Sequence, residues 1–161
     1  MTGYHLAQIN IGRLKAPMDA PETAGFANAL EPINALADGQ PGFVWRLTGE
    51  GDNATDIVAF DDPMMILNMS VWENPEVLAA FVYRTDHRDV MRRRAEWFEK
   101  MELFMCLWWV PAGHTPTPAE GIARLEILRQ RGPTTQAFTF REPFPAPDEA
   151  QRPAPILDEC A

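Results

Sequence analysis

SVWENPEVLAAFVYRTDHRDVMRRRAEWFE, residues Ser70 to Glu99, runs from the end of a strand through a helix start into a long amphipathic segment. Met64 to Trp72 alternates as a half-buried strand. Asn74-Pro75 is a strong helix start, with asparagine as the cap and proline at the first helical position. Pro75 to Tyr83 is then helical, and Arg84-Thr85-Asp86 either continues that helix or breaks it before a second piece from Asp86 to Met101. Helical spacing from Tyr83 collects Tyr83, His87, Val90, Met91, Arg94, Trp97 and Phe98 on one side. Arg88, Asp89, Arg92, Arg93 and Glu96 fall on the other. A histidine and an arginine within an apolar stripe need partners or a ligand, because an unpaired buried charge costs several kcal/mol. The pattern therefore predicts a pocket against this helix.

Working outward, Tyr4 to Ile11 is a first strand, with Leu6, Gln8 and Asn10 on one face and His5, Ala7, Ile9 and Ile11 on the other. Asp19 to Ala37 is a helix interrupted by Pro32. Phe43 to Thr48 is a second strand, joined through the polar loop Gly49 to Asp56 to the strand that opens the quoted stretch. Phe104 to Val110 is a fourth strand. Strand, helix, strand, strand, helix, strand is the order of a ferredoxin-like α+β unit, an antiparallel sheet with helices on one face. Pro118 to Arg131 adds a terminal helix, and Gln136 to Phe140 a short edge strand. From Arg141 onward five prolines and no apolar period predict an extended or flexible tail, so the domain is placed at 1–140 and the tail at 141–161.

The chain of 161 residues suits one domain, and 46% hydrophobic residues supply an ordinary core. A net charge of -9 argues against a nucleic-acid or anionic-membrane partner. No run approaches the ~18 apolar residues of a membrane span, and the N-terminus lacks the basic and apolar regions of a signal, which predicts a soluble, cytoplasmic protein. Cys106 and Cys160 give no disulfide framework. His5, His87 and His114 show no metal-ligand spacing, so no metal site is expected. Phosphate-binding glycine loops and nucleophile-elbow sequences do not occur either.

The stretch Ser70 to Glu99 and the following LWWVPAGHTP, together with YHLAQINIGRLKAPMD and GFVWRL, resemble the family called domain of unknown function 3291. The resemblance covers Tyr4 to Phe140. It implies the dimeric α+β barrel superfamily of antibiotic-biosynthesis and heme-degrading monooxygenases, hence a homodimer with a pocket between each sheet and its helices. Heme-degrading members carry an asparagine on the first strand, a tryptophan, and an iron-ligating histidine on the helix after the third strand. Asn10 matches the first; Phe81 and Tyr83 stand near the tryptophan region; His87 lies about one turn before the ligand position, which Met91 occupies. Cofactor-free members hold an aromatic substrate near oxygen, and Asn10, Trp45 and Trp72 are similar to the groups they use.

His87, ionising near neutrality, is the candidate acid/base; its alternative is a core histidine bonded to backbone, Asp86 or Tyr83. Arg94 is the candidate anchor for a carboxylate or phenolate, or else pairs with Glu73 or Glu102. Asn10 completes the catalytic set. Asn68, Trp72, Tyr83, Met91, Trp97 and Trp45 are candidate substrate contacts. Gln8 and Asn10 share one face, and Asn68, Ser70 and Trp72 share another; a slip of one residue decides whether these look toward the helices or into a dimer barrel. Trp108 and Trp109 point oppositely, one to the core and the other to a dimer interface. His114 lies in a loop, exposed or beside a helix cap.

These residues support a small-molecule-binding barrel, a cofactor-independent monooxygenase or related enzyme acting on a hydrophobic or aromatic metabolite. The alternatives are a noncatalytic ligand-binding or dimeric module, and a heme-binding protein.

Overall fold

The computed structural model describes residues 3–48 and 60–149. The expected loop Gly49 to Asp56 and Cys160 lie outside the described residues. Strands β1 (Tyr4–Arg13), β2 (Phe43–Arg46), β3 (Met65–Trp72) and β4 (Met105–Pro111) form one antiparallel sheet in the order β2-β3-β1-β4. Helix α1 (Ala24–Asp38) connects β1 to β2, and α2 (Pro75–Arg84), α3 (His87–Arg92) and α4 (Arg94–Trp97) connect β3 to β4. This is the ferredoxin-like arrangement. Helix α5 (Pro118–Arg131) follows β4.

Register settles which face is which. Gln8 stands opposite Ser70 and Leu107, and Asn10 opposite Asn68 and Met105. These residues look toward α1, α2 and α3. The alternate positions Ala7, Ile9, Ile11, Met69, Val71, Cys106 and Trp108 form a second core with Leu125 and Leu128 of α5. Helix α5 lies close on that face: a Cβ added to Gly121 would stand 2.8 Å from Ile9 Cδ1 and 3.2 Å from the Met69 thioether. Polar alternation in β1 and β3 therefore faces the connecting helices, while α5 covers the apolar side.

Asn74 caps α2 as expected, its side chain accepting from Val77 N at 3.0 Å. Thr85 is extended and ends α2 before α3 begins. The helical segment expected to reach Met101 stops at Trp97. Phe98 turns extended and bridges Leu14, with Glu99 N donating to the Arg13 carbonyl at 2.9 Å. Strand pairing at the end of β1 replaces the last helical turn. Helix α1 runs through Pro32, whose missing N–H falls on the exposed side.

Two further expectations are corrected. Trp45 is not on the pocket side. A register shift between Phe43 and Trp45 leaves Phe43 opposite Trp72 but puts Trp45 opposite Val71, so the bulge turns its indole onto the α5 face. Residues 141–149, the described part of the expected tail, are extended but packed. Phe138 exchanges backbone bonds with Leu107 at 2.8 and 2.9 Å, Trp109 Nε1 donates to the Phe144 carbonyl at 2.9 Å, Ala146 is buried, and Gly3 N donates to Asp148 Oδ2 at 2.7 Å. This strap covers the Trp109 side within the chain itself. Trp108 is fully buried on the α5 face, its Nε1 donating to Glu120 Oε2 at 3.2 Å.

Candidate functional site

Between the polar face of the sheet and α1–α4 lies a cavity of about 250 Å³. Its floor is a chain of polar side chains. Trp72 Nε1 donates to Ser70 Oγ at 2.8 Å, and Gln8 Nε2 donates to Ser70 Oγ at 2.8 Å and to Asn68 Oδ1 at 2.9 Å. Asn10 Nδ2 donates to Gln8 Oε1 at 3.1 Å and to Asn68 Oδ1 at 3.4 Å. Gln8 and Ser70 are buried, which such a network makes tolerable because their polar atoms are partnered. Asn10 and Asn68 are only half-buried and line the cavity.

Aromatic and aliphatic groups form the walls. Trp72 stacks on Phe81 with ring centroids 5.1 Å apart, and Phe43 meets Trp72 edge-on at 5.3 Å. Trp97 packs against Phe26 at 5.7 Å. Tyr83, 53% exposed, and Met91, 37% exposed, line the outer part, where Tyr83 meets Phe140 of the strap at 6.0 Å. Of the nine residues expected at the site, the cavity brings together Asn10, Asn68, Trp72, Tyr83, His87, Met91, Arg94 and Trp97; only Trp45 is elsewhere.

Arg94 has neither of the glutamate partners weighed for it. No carboxylate among the described residues pairs with it; one Nη2 hydrogen goes to the Ile11 carbonyl at 2.7 Å. Its guanidinium lies 4.7 Å from the Phe98 ring centre and 4.3 Å from that of Phe104, a cation held by two aromatic faces. Burial lowers its pKa, though a guanidinium stays charged. Gly12 makes room for this arrangement. A Cβ there would stand 2.4 Å from Phe98 Cδ1 and 3.2 Å from Arg94 Nη2. Gly12→Ala is therefore expected to cost roughly 1–3 kcal/mol by overpacking and to displace the Arg94 head; urea denaturation reads the first effect.

His87 opens α3, its ring 4.9 Å from that of Phe81. Burial lowers its pKa, and the Val82 backbone acts in the opposite direction without reversing this. The sealed Nδ1 has no partner among the described residues. His87 is thus neutral at pH 7, a proton acceptor rather than a cation. Because the folded pKa lies below the unfolded value of 6.5, the unfolded chain takes up a proton first as pH falls. Stability is expected to decline from pH 7 through that window toward the lowered pKa, and His87→Gln to flatten the decline in urea melts between pH 5 and 8. An identical slope in both proteins would contradict a buried neutral ring.

No aspartate or glutamate is among the described residues lining the cavity; its charged side chains are Arg46 and Arg94. Arg46 is itself paired with Asp38, Nε to Oδ1 at 2.8 Å. Cys106 is no nucleophile here, since it lies on the opposite face and burial pushes its thiol up to about 12. His114 is exposed, contacts Glu120 Oε1 through Nε2 at 2.9 Å, and is not part of the cavity lining. No group of three metal-ligating side chains occurs among the described residues. Sequence reasoning missed Gly12, Phe104, Arg46 and Phe140. A glycine inside β1 was the one available signal, as strand glycines mark close approach.

A family model described as Domain of unknown function (DUF3291) matches residues 5–154, which includes the packed strap. No curated relative matches the chain. Two solved structures from Nitrosomonas europaea are similar. One is the NE2512 protein of unknown function, 13% identical, covering 72% of this chain and 96% of that one at a TM-score of 0.46. The other is a "Putative antibiotic biosynthesis monooxygenase", 16% identical, covering 73% and 98% at a TM-score of 0.47. Neither likeness bears on the chemistry of the cavity.

Proposed function

Because the chain belongs to the domain of unknown function 3291 family, whose name specifies no reaction, we propose a function from the cavity itself. The protein binds a small apolar or aromatic metabolite carrying an anionic group and acts on it as a cofactor-independent monooxygenase or a related proton-abstracting enzyme. One observation carries this: among the described residues, an aromatic-walled cavity with no lining carboxylate holds Arg94 without an acidic partner and a neutral His87.

Arg94 keeps N–H groups beyond the one given to Ile11 and presents them to a carboxylate or phenolate. Trp72, Phe81 and Trp97 stack against the ring, and Asn10 and Asn68 fix its polar substituents. His87 accepts the proton of an acidic C–H or phenol. The resulting carbanion or phenolate-stabilised anion combines with dioxygen, which supplies both oxygen and oxidising equivalents. A CH2 carbon becomes C(H)–OOH and then loses water to leave C=O, so one oxygen atom enters the product and the other leaves as water. A cytoplasmic location and a homodimer belong to the same proposal; sedimentation reads the latter.

Oxygen uptake tests it, with aromatic C–H acids such as anthrone as probes. Wild type is expected to consume oxygen, and His87→Ala to be slower by ~10²–10⁴-fold, the range for a lost general base. Equal rates would remove His87 from the chemistry. A noncatalytic binding role is favoured by the mutual satisfaction of Gln8 and Ser70, which makes a rigid floor; saturable probe binding without oxygen uptake would select it. Heme is the less favoured occupant, because Met91 rather than a histidine stands where the resemblance places an iron ligand.

A further inference from the structure

The hydrogen bonds of the cavity floor constrain one another, and this limits what can lie on them. Trp72 Nε1 is only a donor, so Ser70 Oγ must accept from it. Gln8, Asn10 and Asn68 touch in a closed triangle at 2.9, 3.1 and 3.4 Å, and each contact needs one donor and one acceptor. Turning a single amide would set nitrogen against nitrogen or oxygen against oxygen. Only two arrangements satisfy all three contacts. In the first, Gln8 donates to Asn68 and Ser70, and Asn10 donates to Gln8 and Asn68; Asn68 Nδ2 and Asn10 Oδ1 remain over. In the second, all three amides are reversed and the Ser70 hydroxyl donates to Gln8; the spare ends are then an Asn68 oxygen and an Asn10 nitrogen.

The two spare ends are therefore always unlike. They carry no hydrogen bond to other described residues and are not sealed from the cavity that both residues line. Asn10 and Asn68 are direct cross-strand partners, and their spare ends belong to two amides already in contact at 3.4 Å. We propose that the cavity floor selects ligands bearing an adjacent donor and acceptor, such as a lactam or a vicinal hydroxy-carbonyl group, and rejects two adjacent acceptors. This rests on the cavity being the ligand site and names the substrate class it takes. Arg94 holds any anionic substituent elsewhere on the same molecule, so the floor reads a neutral pair. A ligand with two acceptors would leave one carbonyl or ether oxygen facing an amide oxygen, an unpaired contact in a desolvated place.

Quinolin-2(1H)-one and coumarin test this. They have the same two-ring shape, but the N–H of the first is a ring oxygen in the second. Calorimetric titration into the wild-type protein is expected to show quinolinone binding ~10-fold or more tightly than coumarin, as sites built for a hydrogen bond discriminate strongly against its loss. In Asn10→Leu the preference is expected to fall toward unity. Equal affinities in wild type, tighter coumarin binding, or a preference that survives Asn10→Leu would overturn the paired floor while leaving the cavity as a ring-binding site. Failure of both probes to bind would overturn the floor proposal and the cavity assignment together.

Discussion

Trp72→Ala is expected to lower the unfolding free energy by roughly 3–5 kcal/mol, the range for removing a fully packed large aromatic. The indole is 1% exposed, stacked on Phe81, edge-on to Phe43, and bonded through Nε1 to Ser70. It joins β3, α2 and β2 at one end of the cavity, so its loss opens a void that three elements border. Trp72→Phe separates packing from hydrogen bonding. Phenylalanine keeps much of the stacking but withdraws the donor, and Ser70 is then left with an unmet lone pair, costing about 1–3 kcal/mol. Urea denaturation of both variants measures the difference. A loss below about 1 kcal/mol in Trp72→Ala would mean that the cavity wall is not tightly packed.

Arg94→Met is expected to act in opposite directions on stability and binding. Arg94 is a partly buried cation with no acidic partner among the described residues, and replacing such a group with an apolar one of similar length is neutral or stabilising. Binding of an aromatic carboxylate such as 2-naphthoate should weaken ~10- to 100-fold, since hydrogen bonds to charged groups contribute about 1.5–3 kcal/mol. Arg94→Lys keeps the charge without the planar fork and is expected to fall between the two. Calorimetry and urea melts on the same three proteins give both readings. A large loss of stability with unchanged 2-naphthoate affinity would make Arg94 structural.

The ferredoxin-like order was legible because its punctuation is local. Asn74-Pro75 states a helix start by its own chemistry, and the polar residues at positions 8, 10, 68 and 70 share faces by strand alternation alone. Which way those faces look was not legible, because it depends on α5 crossing to the opposite side of the sheet. No residue between Pro111 and Pro118 encodes that crossing by itself. Trp45 was misplaced for a comparable reason: one bulge beside Val44 reverses alternation, and it is specified by pairing with β3 rather than by the four residues of β2. His87 and Arg94 both line the cavity because helical spacing survives the breaks at Thr85 and Arg93. Phe140 went unseen because the strap after it has no apolar period to announce its packing.

A small aromatic anion is expected to bind in the cavity beside His87. The three histidines provide the most direct measurement, because they occupy separate places: His87 in the cavity lining, His5 on β1 outside it, and His114 exposed in the loop before α5. In histidine-labelled protein titrated with 2-naphthoate, the ring resonances of His87 should shift saturably while those of His5 and His114 stay in place. Saturable binding that leaves His87 unmoved, or that shifts His5 or His114 instead, would contradict the assignment.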